Sequence, residues 1–84
     1  MNNALDSMRM MSIPVSMAKA GETGVVVRIS GNQEVRKFLS DLGFTIGTTI
    51  STVSDINGNK ILSVRGSRIA IDSGMASKIM FCPE

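Results

Sequence analysis

Histidine is absent from this sequence, and cysteine occurs once, at Cys82. A nucleophilic triad needs a general base, usually His, so that chemistry has no carrier here. Zinc and iron sites need clustered His, Cys or carboxylate. The seven acids are scattered along the chain, and Cys82 stands alone. A lone cysteine cannot form an internal disulfide, which points to a reducing, cytoplasmic setting. Trp and Tyr are missing as well, and aromatic residues make up only 4% of the chain. Stacking of single-stranded bases on aromatic rings has almost nothing to work with. Nine basic against seven acidic residues leave a net charge of +2. No run of Lys or Arg concentrates it, so no nucleic acid is expected as a partner. Long apolar runs are also missing. Arg9, Ser12 and Pro14 interrupt the methionine-rich start. Neither a secretory leader nor direct membrane insertion is expected. No glycine-rich phosphate loop occurs, and no pair of carboxylates is set up for acid–base work. The absences argue against an enzyme, a cofactor or a metal site. Cys82 then reads as a small apolar residue, and methionine as a common core filler, with three of the seven clustered in the N-terminal segment.

What is present centres on VRKFLSDLGFTIG, Val35 to Gly47. Val35, Phe38, Leu39 and Leu42 recur at helical spacing and predict an inward apolar stripe. Glu34, Arg36, Lys37, Ser40 and Asp41 take the other face. Gly43 ends the pattern, as the residue that enters the left-handed region at least steric cost. Phe44 follows, where it can pack back on Leu39. Gly47 marks a second sharp point, ahead of the β-branched run from Thr48 to Val53.

Around this helix the chain reads as short strands and tight turns. Residues 1–12 lack a period and are expected to be a flexible tail. Ile13 to Met17 alternates, and Pro14 restricts it to an edge. Gly24 to Ser30 is a β-branched strand, and Ser30, Gly31 and Asn32 supply a turn and a polar cap. Strands follow at Thr48 to Ser54, Lys60 to Val64, Arg68 to Ile71 and Lys78 to Cys82. Asn57-Gly58 is a strong hairpin signal, and Asp41, Asp55 and Asp72 read as turn formers. Asp72 to Ala76 reads as a short helical turn or loop. The fold expected is mainly β, a single domain over 13–84. It is a small barrel of about five to six strands with one α-helix packed against it.

The order of residues from Gly21 onward resembles the ferrous iron transport protein A (FeoA) family. Gly24 and Val26 come first, then LSDLGF from Leu39 to Phe44, then Gly47 and Ile50. Gly66, Ile69, Ala70 and Ile71 follow, and Ala76 to Ile79 close the set. Two positions depart from the pattern. Ile46 stands where proline is common, and Phe38 where a basic residue is common. The resemblance implies an SH3-like barrel. It also implies a cytoplasmic accessory of a membrane ferrous iron transporter carrying a GTPase domain, reached at the inner face of the membrane through that partner. Similar barrels serve as domains of metal-dependent repressors, so a regulator or nucleic-acid module is the competing class. A GTPase-activating role through Arg36, Arg65 or Arg68 is a third.

The contact surface expected for the partner is the corner after the helix: Phe44, Thr45 and Ile46, beside Arg36 and Lys37. Four apolar residues already fill the inward stripe, and residues in a loop after Gly43 are usually exposed. An aromatic and an aliphatic beside two cations have the composition of a small contact patch. The alternative for Phe44 is packing on Leu39. Oligomeric state is left open.

Overall fold

The structure, a computed structural model, describes residues 4–84. Helix α1, Ala4–Met10, opens it and leans on two strands, β2 (Thr23–Ile29) and β6 (Ile79–Pro83). Residues 4–10 of the segment expected to be a tail thus form a helix; residues 1–3 lie outside the described residues. Leu5 and Met8, three apart, are the half-buried side of α1. The Arg9 Nε donates to the Val27 carbonyl at 3.2 Å, tying the helix down. That carbonyl is free because β2 carries a bulge between Val26 and Arg28.

Strand β1, Ile13–Pro14, is short, and a 3₁₀ turn over Val15–Met17 follows it. After β2 comes helix α2, Gln33–Asp41, capped by Asn32, whose side chain accepts the Val35 N–H. Strands β3 (Thr49–Ile56), β4 (Asn59–Val64) and β5 (Ser67–Ile71) form a meander. Its first turn is Asn57-Gly58 and its second Arg65-Gly66, all four with positive φ. Positive φ at both central residues is the hairpin turn whose twist matches the strands. The short helix α3, Ser73–Ala76, capped by Asp72, leads into β6.

The six strands make one antiparallel sheet in the order β1-β6-β2-β3-β4-β5. It curls around a single core to which Val26, Ile50, Leu62, Ile71, Ile79 and Phe81 each contribute. Among the described residues no ladder joins β1 to β5, so β5 remains an open edge. Alternation in β4 places Lys60, Leu62 and Val64 on the inner face. Lys60 is 1% exposed. Its ammonium bonds the Asp55 carboxylate at 2.9 Å and the Ala18 carbonyl at 2.7 Å. A buried charge needs such partners. Asp55 also accepts the Gly58 N–H, so it is both turn former and counterion.

Candidate functional site

The corner expected to carry the contact begins where α2 stops. Gly43 has φ +108. Its N–H bonds the Ser40 carbonyl at 2.9 Å, and the Phe44 N–H bonds the Leu39 carbonyl at 3.0 Å. These two bonds define a Schellman end, which satisfies carbonyls the helix would leave open. Its usual companion is an apolar contact from the residue after the glycine. Phe44 is accordingly 1% exposed and shares the core with Leu39. Phe44 is therefore withdrawn from the contact surface, because the helix end folds it inward.

The opposite correction applies to Phe38, which is 50% exposed. Leu39 is buried while Val35 and Leu42 are half-buried. On a helical wheel Phe38 lies about 100° from Leu39, at the outer margin of the stripe. With Glu34, Val35 and Met75 it lines a groove of about 230 Å³ between α2 and α3.

Thr45 to Thr48 is a tight turn. The Thr48 N–H bonds the Thr45 carbonyl at 3.0 Å, and Gly47 has φ +94. A four-residue turn with positive φ at its third position is type II, whose second position favours proline. Ile46 occupies that second position and is 52% exposed. The turn is held without proline. The Gly47 N–H donates to Val26, and the Val26 N–H donates to Thr48. The Thr45 and Thr48 hydroxyls bond each other at 2.7 Å. Arg65, from the β4–β5 turn, donates one guanidinium nitrogen to both hydroxyls, at 3.1 and 3.3 Å.

Arg36 and Lys37 are exposed on the outer face of α2, as expected. Lys37 pairs with Asp41 one turn on, at 3.1 Å. Neither side chain bonds Thr45 or Ile46; the cation brought to that turn is Arg65. The sequence offers Arg65 as an arginine available in trans to a GTPase, and nothing in it links Arg65 to Thr45 or Thr48. Among the described residues no group of three or more His, Cys, Asp or Glu could hold a metal ion. Among the described residues no helix is long and apolar enough to cross a membrane. The corner presents an exposed aliphatic on a tight turn, a guanidinium braced on two hydroxyls, and a half-exposed Phe38 beyond.

A protein of Methanocaldococcus jannaschii that bears the name Fe(2+) transport protein A is 37% identical over 67 residues. The match covers 80% of this chain and 82% of that protein. The crystal structure of an iron uptake regulatory protein, FeoA, superposes with a TM-score of 0.82 at 35% identity. It covers 88% of this chain and 99% of that one. A manganese-dependent transcriptional repressor has a TM-score of 0.82 at 16% identity, over 87% of this chain and 41% of the repressor. That last likeness shows the fold alone. The architecture is thus the SH3-like fold of the FeoA structures. The FeoA domain family matches residues 13–81, from β1 into β6, and with these relatives it places the chain in the FeoA domain family.

Proposed function

We propose that this protein is a cytoplasmic accessory of a ferrous iron transport system. It acts by binding a membrane transporter that carries a GTPase domain, not by holding iron or by catalysis. The observation that carries this reading is the family match across residues 13–81, supported by a relative named for Fe(2+) transport. The surface described above suits that role. Ile46 and Phe38 provide apolar area, and Arg36, Lys37, Arg65 and Thr45 provide a polar rim. Contacts of this kind concentrate their energy in a few such residues. Iron is the transporter's cargo in this reading.

The test is capture of the transporter from cell membranes by the tagged protein, with and without guanine nucleotide. Enrichment of the transporter is expected, and Ile46→Asp should abolish it without unfolding the domain. Failure to enrich it under either condition would overturn the proposal.

A further inference from the structure

Strand β5 ends the sheet, and no described segment pairs with its outer edge. The Arg65-Gly66 turn decides which of its backbone groups face outward. Val64 and Ser67 flank this two-residue turn and oppose each other, so they exchange the close pair of hydrogen bonds. Alternation then points the N–H and C=O groups of Ile69 and Ile71 toward β4. Those of Arg68 and Ala70 point away. Among the described residues, neither makes a backbone bond to any other segment. Their side chains are exposed, while Ile69 and Ile71 pack on the core.

Charge marks out what this edge accepts. Arg65 precedes it and Arg68 lies on it, and neither has a carboxylate partner among the described ion pairs. Arg65 is held over Thr45 and Thr48, so much of its side-chain freedom is already lost before any partner arrives. A second copy is a poor occupant, because antiparallel pairing of β5 with β5 sets each Arg68 opposite the other chain's Ala70 and brings no carboxylate to either arginine. An extended acidic segment meets both demands, backbone groups for the edge and carboxylates for the arginines. The edge also begins at Arg65, so it is continuous with the Thr45–Ile46 turn.

We infer that β5 takes an extended acidic segment of the transporter's cytoplasmic domain as an added strand, bonded at Arg68 and Ala70. This rests on the transporter being the partner. Ala70→Pro tests it, since it deletes an N–H that β4 does not use, and proline is tolerated on strand edges. Ala70→Ser keeps that N–H. Calorimetric titration of the full chain with the isolated cytoplasmic domain is the readout. Ala70→Pro should weaken binding by about tenfold or more, and Ala70→Ser should not. Arg68→Glu should weaken it as well, and added salt should weaken the wild type. If Ala70→Pro melts early, amide exchange of the wild-type complex decides instead. Binding should then protect the Arg68 and Ala70 amides. Wild-type binding with unaffected variants, or with those amides unprotected, would overturn the edge and leave the transporter reading standing. No wild-type binding would overturn both.

Discussion

Phe44→Ala separates a core role from a contact role at the corner of α2. The ring is 1% exposed and belongs to the same core as Leu39 and Val64. Burying such a side chain is worth about 1.5–3 kcal/mol in transfer alone. The cavity left behind adds to that, and phenylalanine truncations in cores cost about 3–5 kcal/mol. A domain of 84 residues has a total stability of roughly 4–13 kcal/mol. The variant should therefore lie close to its folding threshold. With a urea slope of roughly 1.5 kcal/mol/M, the unfolding midpoint should fall by about 2–3 M. Urea titration followed by far-ultraviolet circular dichroism measures this directly. On the proposed function, the fraction that stays folded should still bind the transporter's cytoplasmic domain, because a ring only 1% exposed offers a partner no surface. An unchanged midpoint together with lost binding would refute this reasoning and return Phe44 to the surface.

Gly43→Val should cost about 1–3 kcal/mol, because φ of +108 strains any side chain there and its Cβ would sit 3.1 Å from Val64 Cγ1. A denaturation midpoint equal to wild type would place the helix end elsewhere. Ile46→Pro should stabilise by about 0.4–1 kcal/mol, since that turn position favours proline and no bond of the Ile46 N–H is lost. A lower melting temperature in that variant would exclude the type II turn. The Lys60 bond holds the Asp55 carboxyl below its ordinary value of 3.8, with the Gly58 N–H helping and partial desolvation opposing. A carboxyl lowered in this way adds stability above its unfolded pKa and loses it as pH falls through the folded one. Acid unfolding of the wild type should therefore steepen below 3.8, and Asp55→Asn should remove that component. Parallel acid limbs in the two proteins would dismiss the pair.

Most of the architecture was legible because it rests on local rules. Gly43 ends the helix, Asn57-Gly58 turns β3 into β4, and Asn32 caps α2, each where residue chemistry demands it. Helix α1 was not legible. Its seven residues hold too few apolar positions to show a period, and no helix that short is stable alone. It exists through what it touches, the Val27 carbonyl at the bulge and the faces of β2 and β6. Lys60 was half legible. It shares parity with Leu62 and Val64, which assigns it to the core, but a lysine in such a place invites the opposite reading. Only the approach of the Ala18 carbonyl and the Asp55 carboxylate makes that position tenable.

At the corner the sequence placed Phe38 inward and left Phe44 open, and the reason is specific. A helical wheel weighs Phe38 by its distance from the stripe, and at the margin of a nine-residue helix that distance decides little. Loop position weighs Phe44 toward solvent, yet the Schellman end bends the chain back so that the residue after glycine meets the helix it has just left. The sequence pattern held both outcomes open for Phe44, and the hydrogen bond from its N–H to Leu39 selects the inward one. Arg65 lies beyond any such local argument. It stands twenty residues from Thr45 in the chain, its positive φ belongs to the β4–β5 hairpin turn, and only the fold brings its guanidinium onto the two threonine hydroxyls. The guanidinium stiffens Ile46's turn, and the turn holds that charge at the head of an open strand.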